Sequence, residues 1–369
     1  MDERAEQRPA EVHEVVEGAA CRADVTHRVL AHVRVGAGPE AIAVDADTRR
    51  AFVACSRDNV VTAVDMDRCA VMWRAGVGTE PIPVVFDPPT RRLFTADARS
   101  DTVTVLDADS GARVAQIRVG AYPAGLGHDV VRRRVFSGDT AAGTVTAIDA
   151  DRLEVIGTVP AEAGAGSIAV DTVTARAYCT NFLSSSLTVF DSATLRPLGR
   201  VAVGDGPCKA EVVPGGDLLY VAESLPSTVV VLSASEGRVV ARMPTERAPV
   251  GLHATEGGRQ LYVCNRGAGT VGVYDRRTGA ESHRITVGNG PGDCVTDPAT
   301  GKLLVSNAGS GTLTVVDRPW LPGGQPATAH PAEGRRLPDF SLPDLRGGRI
   351  RTTREWAEKR YVINFFASW

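Results

Sequence analysis

Lysine is nearly missing from this chain: among 41 basic residues only Lys209, Lys302 and Lys359 are lysines. Neither sign of charge is in excess, since 44 acids leave a net charge of -3, and nothing in that balance asks for nucleic acid or an anionic membrane as a partner. No apolar run reaches the length of a bilayer span or of a secretory leader, and Met1 to Ala20 is polar and acidic. The expected location is therefore cytoplasmic as the chain is written, with an extracytoplasmic one left open for a form with a longer N-terminus. The cysteines Cys21, Cys55, Cys69, Cys179, Cys208, Cys264 and Cys294 stand singly, with no Cys-x-x-Cys pair and no finger spacing, so no disulfide framework is expected. Gly-x-Ser-x-Gly, His-Glu-x-x-His and phosphate-loop patterns are all lacking, which removes the usual signals of several enzyme classes, and no cofactor is expected.

What is present is periodicity. Proline recurs at Pro39, Pro81, Pro123, Pro207, Pro249 and Pro291, in steps of 42 or once 84, and Ala165 holds the skipped place. The same step carries Phe52, Phe94, Phe136, Tyr178, Tyr220, Tyr262 and Leu304, and a third register carries Asp65, Asp107, Asp149, Asp191, Ser233, Asp275 and Asp317. Between these markers lie short alternating runs such as Thr102-Val103-Thr104-Val105-Leu106, bounded by Gly, Asp, Asn or Pro, which read as strands. Each unit of 42 residues holds four of them. Four strands in a repeat of this length make a propeller blade.

The count also predicts closure. The last copy stops at Asp317 without a fourth strand, whereas His27 to Gly36 reads as a fourth strand with no blade: Val33 and Val35 align with Ile117 and Val119, and Gly36 with Gly120. The expected fold is all-β, a seven-bladed propeller of four-stranded blades over residues 26–317, its ring closed by the N-terminal strand, which leaves no open sheet edge. Residues 1–25 are expected to be disordered. The Gly-x-x-Pro turns and cores such as Leu261-Tyr262-Val263-Cys264-Asn265 resemble the YVTN family of β-propeller repeats, over about Thr26 to Pro322. The resemblance implies the fold; propellers of this kind include ligand and protein binders, lactone hydrolases and cofactor-dependent dehydrogenases.

Positions that break the repeat on the channel face are where a site is sought. At the fifth place of the inner strand most copies have Ala43, Val85, Gly127, Ala169 or Val295, but two have Glu211 and His253. Lys209 and Asp293 lie two places earlier in their copies, and Cys208 and Cys294 are close by. These six residues form the candidate ligand site: Glu211 orienting or charging His253, Lys209 receiving an anionic group. A water-filled channel lined by structural ion pairs is the alternative reading. A metal held by Cys208, His253 and Cys294 lacks paired spacing, and no metal is expected. Phe182, Leu183, Arg57, Arg99 and Arg266, in the loops between second and third strands, are the candidate partner surface. No residue is assigned a catalytic role. The function expected is a binding platform for a small molecule or a protein, with a propeller hydrolase or oxidoreductase as the alternative.

Residues 318–336, rich in Pro, Gly and Ala, read as a linker. After them, Leu337-Pro338-Asp339-Phe340, a helical stretch over Thr353 to Lys359 and the run Tyr361-Val362-Ile363-Asn364-Phe365-Phe366-Ala367-Ser368-Trp369 resemble the start of a thioredoxin-like redoxin of the peroxiredoxin and thiol-disulfide interchange type. The resemblance implies that 337–369 opens an α/β redoxin domain whose active-site cysteine would follow the last strand, and hence that the chain is expected to be a piece of a longer thiol oxidoreductase.

Overall fold

A computed structural model describes residues 28–213, 215–255 and 259–317, and the backbone of 341–343 and 350–352. Seven four-stranded antiparallel sheets follow one another along the chain. Each runs from an inner strand that starts at the repeated proline, or at Ala165, out to a fourth strand at the rim. In the seventh sheet the outer place is taken by Val29–Arg34, which pairs antiparallel with Thr312–Val316, Arg34 opposite Thr312 and Val29 opposite Val316. The first and last segments of the propeller thus share one blade, so Thr312–Val316 is not left as an unpaired edge where the ring closes.

The aromatic register is the core. Phe52, Phe94, Phe136, Tyr178, Tyr220, Tyr262 and Leu304 are all buried, one on the second strand of each blade, and pack between neighbouring sheets. Burying each contributes roughly 1.5–3 kcal/mol. On the face opposite the channel mouth, polar clasps join the blades. Arg91 bonds Asp109 of its own blade at 2.8 Å and Asp45 of the preceding one at 2.9 Å, Arg133 bonds Asp151 and Asp87 in the same way, and Arg49 bonds Asp67 and Asp297. The last of these crosses the closure from blade one to blade seven. Between blades three and four the backbones themselves touch: a Cβ on Gly125 or Gly138 would fall inside the carbonyl of Gly166. Only glycine fits there.

On the channel-mouth face each second strand ends in a buried residue, among them Asp97, Asp139, Asn181, Glu223, Asn265 and Asn307. Asp97 accepts from the hydroxyls of Thr102 and Thr104, and Asp139 from those of Thr144 and Thr146. These residues tie the loops down rather than pointing into the channel. Residues 1–25, the linker 318–336 and nearly all of 337–369 lie outside the described residues. Within the last segment the strands Ser341–Pro343 and Ile350–Thr352 pair antiparallel with each other.

Candidate functional site

The inner strands converge on a cavity of about 230 Å³ at the channel mouth, to which every blade contributes. Its charged and polar lining is Glu40, Ser167, Cys208, Lys209, Arg266 and Asp293, set against Ile82, Pro83, Leu126 and Val250. Lys209, on the inner strand Pro207–Val212, places Nζ 3.7 Å from Oδ1 of Asp293 on Pro291–Thr296, two blades on. The other Asp293 oxygen accepts from the Ile42 amide at 3.4 Å. The Asp293 charge raises the Lys209 pKa further, so the ammonium is retained across the physiological range.

Below this ring lies a second layer. Glu211 Oε1 is 3.8 Å from His253 Nδ1 and accepts from the Ala254 amide at 3.5 Å. His253 Nε2 is 2.8 Å from the Thr296 hydroxyl, and the ring stacks on Tyr262 at 6.4 Å between centroids. Burial pushes the Glu211 carboxyl up to about 7, against the pull of Lys209, and burial followed by the Lys209 charge pushes His253 down to about 4. At neutral pH the imidazole is therefore uncharged and the carboxyl is half-ionised. A carboxyl in that state can give or take a proton without leaving physiological pH.

The structure brings Lys209, Glu211, His253 and Asp293 together, corrects the placement of Cys294 and gives Arg266 a contact in the cavity wall. Cys294 does not face the channel: its side chain is buried in the blade core against Cys264, in the register that carries the core residues Ile42, Val84, Ile168, Ala210 and Leu252, while its neighbour Asp293 lies on the channel face. Arg266 starts from the loop between second and third strands and keeps a side-chain exposure of 38%. Its guanidinium turns inward over Gly292 and pairs with Glu40, making it a wall of the cavity. Cys208 does line the cavity, with Sγ 3.2 Å from the Pro249 carbonyl, but burial pushes its pKa to about 11, so it stands as a neutral thiol. Among the described residues no group of three or more His, Cys, Asp or Glu is placed to hold a metal ion, and the six described cysteines are free.

On the rim, Phe182 and Leu183 are exposed, and the Phe182 ring and Leu225 of the next blade flank Gly206. Arg57 and Arg99 line a polar recess with Glu80, and Arg99 pairs with Glu80. Glu40, Ser167 and Thr296 were not singled out from the sequence. Glu40 had a signal, because it follows Pro39 at the place where other copies carry Ile82, Ala124, Gly166, Val250 or Gly292.

With this geometry in place, comparison with known proteins is informative. A YNCE-like β-propeller family model matches residues 18–213, and a model described as lactonase, 7-bladed β-propeller, matches 193–320. No curated protein matches in sequence. Among solved structures, hydrazine synthase of Kuenenia stuttgartiensis is similar with a TM-score of 0.69 and 18% identity, covering 82% of this chain and 99% of that one. At that identity the likeness concerns the fold alone. The first model spans more than half of the chain, and the protein belongs to the YNCE-like β-propeller family.

Proposed function

We propose that the protein is a binding platform whose channel mouth holds a small polar molecule bearing a carboxylate. The observation that carries this is the single cavity into which all seven blades send their inner strands, with the ammonium of Lys209 at its wall beside Asp293. Lys209 receives the anionic group, while Asp293 and Glu40 accept from hydroxyl or amine donors. An apolar cavity of about 150 Å³ holds benzene, so about 230 Å³ fits a molecule only modestly larger. The exposed Phe182, Leu183 and Leu225 support a protein partner on the same face, and the redoxin resemblance of residues 337–369 supports coupling of the platform to thiol chemistry. The test is a thermal-shift screen of small hydroxy, keto and amino acids followed by calorimetry. A saturable binder that loses at least about tenfold in Lys209→Ala, as expected for a desolvated charged hydrogen bond, and is untouched by Leu183→Asp supports the reading. Absence of any such binder, or indifference to Lys209→Ala, sinks it.

A second reading is favoured by one observation: the lactonase-type match over 193–320 spans the blades that supply Lys209, Glu211, His253 and Asp293. As a hydrolase, Glu211 would take a proton from water as its oxygen bonds to a lactone carbonyl carbon, with the developing oxyanion facing Lys209. The ring C–O bond then breaks and the leaving alkoxide takes the proton back. Glu211→Gln distinguishes the readings, because it abolishes turnover in the second and spares binding in the first.

A further inference from the structure

At three junctions the blades are sealed at the rim by a large residue facing a small one across two registers, and between blades five and six, where Ala241 faces Gly279, Met243 fills the place. One register lies on the fourth strand: Trp73, Ala115, Gly157, Gly199, Ala241, His283. The other is the left-handed turn residue before that strand: Cys69, Gly111, Leu153, Leu195, Gly237, Gly279, at φ between 52° and 73°. The fourth-strand residue of one blade meets the turn residue of the next. Trp73 covers Gly111, so that a Cβ there would lie 2.9 Å from the indole, and Leu195 covers Gly157 at 2.8 Å. Leu153 and Ala115 share one cluster. Large faces small at each of these junctions.

Between blades four and five both partners are glycine. A Cβ on Gly199 or on Gly237 would meet nothing within 4 Å. A cleft of about 360 Å³ opens there, with Tyr178, Leu187, Leu198, Leu219 and Leu232 as its apolar wall beside both glycines, and Arg176, Arg200 and Glu236 among its polar lining. Tyr178 stands in the register of Phe52, against which the Trp73 indole packs at 5.8 Å between centroids. Its buried hydroxyl meets no acceptor for its proton; the polar group beside it, the Arg176 guanidinium, is itself a donor. Burial raises the phenol pKa, against the pull of Arg176, so it stays protonated and able to donate. A buried donor with no acceptor is costly, and clefts of this volume with an apolar wall and a few polar groups take small ligands.

We propose that the cleft between blades four and five binds a free planar aromatic molecule of two fused rings carrying one hydrogen-bond acceptor. Its rings take the place that the Trp73 indole holds between blades one and two, and its acceptor meets the Tyr178 hydroxyl. The site is on the outer part of the ring and independent of the channel mouth, so it stands or falls separately from the proposal above.

The experiment uses quinoline as the probe and naphthalene as the same shape without an acceptor, titrated against the whole chain by ligand-observed NMR. Quinoline is expected to bind saturably at roughly millimolar concentration or below, as suits a ligand of this size. Gly237→Leu installs the residue that blades three and four carry at the same left-handed position, and should weaken both probes more than about tenfold by filling the cleft. Tyr178→Phe installs the residue of blades one to three, and should weaken quinoline about fivefold while leaving naphthalene unchanged. Lys209→Ala should alter neither. No saturable quinoline binding to the unmodified chain, or full binding in Gly237→Leu, overturns the proposal. If Gly237→Leu fails to fold, Tyr178→Phe decides, and equal quinoline affinity there overturns it.

Discussion

Arg49 of the first blade bonds Asp297 of the seventh, 248 residues along the chain, and closes the ring a second time on the face opposite the channel mouth. Asp297 is buried, and burial works to raise its carboxyl pKa, but the Thr300 hydroxyl and Arg49 outweigh it and hold the pKa below the ordinary value. Arg49→Ala leaves a buried carboxylate with only Thr300 and the Ala299 amide, and should cost about 2–4 kcal/mol in urea unfolding. Arg68→Ala, which breaks an exposed pair with Asp65, should cost about 0.5 kcal/mol or less. Because the folded pKa of Asp297 is depressed, its contribution is present above pH 4 and fades as the pH falls through that folded value. The gap between Arg49→Ala and the unmodified chain should close below pH 4. A gap that does not narrow at all as the pH falls below 4 would place the effect of Arg49 in packing.

Glu211 and His253 impose opposite slopes on stability. The Glu211 pKa is raised from 4.5 to about 7, so its contribution is full below pH 4.5 and is lost as the pH rises through 7. His253 is lowered from 6.5 to about 4, so its contribution is full above pH 6.5 and is lost as the pH falls through 4. Between pH 4.5 and 6.5 the two compensate. Glu211→Gln should remove the first slope, and at pH 8 the variant should be the more stable protein by up to ~3 kcal/mol, since each pKa unit is worth about 1.4 kcal/mol. His253→Gln should do the reverse, gaining on the unmodified chain as the pH drops from 6.5 towards 4. Melting temperatures of the three proteins across pH 4–8 decide it, and parallel curves would mean that neither group is desolvated as the geometry implies.

The ring, its blade count and its closing strand were legible because every blade solves one packing problem with the same residues at a fixed step, so that Phe52 and Tyr262 announce each other across the chain. The channel residues Lys209, Glu211, His253 and Asp293 were legible for the converse reason, as departures from that solution. Cys294 was misread because it was taken with its neighbour Asp293, although strand alternation puts it on the other face, in the core register of Ile42, Val84 and Leu252. The inward contact of Arg266 was not legible because its partner Glu40 lies 226 residues away and is reached only across the closure of the ring. The Gly199 and Gly237 coincidence is written in the sequence, but it becomes visible only when the fold shows which registers of adjacent blades face each other.

The contact between blades three and four makes a sharp prediction about two glycines with ordinary negative φ. At Gly125 and Gly138 an added methyl would meet the backbone of Gly166, which no rotamer change can move aside. Gly138→Ala should therefore cost about 1–3 kcal/mol or more, as overpacking does, even though alanine suits a strand interior better than glycine. Gly76→Ala, where the methyl meets nothing within 4 Å, should be neutral or slightly stabilising. Urea midpoints of the two variants check this, and comparable values would mean that the two blades can part without loss.

The inward turn of Arg266 depends on a glycine in the blade that its arm crosses. A Cβ on Gly292 would lie 3.2 Å from Nη2 of Arg266 and 2.7 Å from the Glu40 carbonyl oxygen, so the larger side chain of Gly292→Val should push the guanidinium off Glu40. The same register carries Ile82 and Val250 in other blades, but here the Glu40 carbonyl must also shift, so Gly292→Val should melt lower than the unmodified chain and is compared with it while still folded. An arginine held in a carboxylate pair at a cavity wall reacts slowly with phenylglyoxal, and releasing it raises the rate. Arg266 modification, followed by mass spectrometry, should be several-fold faster in Gly292→Val than in the unmodified chain, equally fast in Glu40→Gln, and no faster in the double variant, because either change alone breaks the one contact. Additive effects would show that Gly292 and Glu40 restrain Arg266 separately, and the cavity wall would then owe its shape to packing rather than to the ion pair.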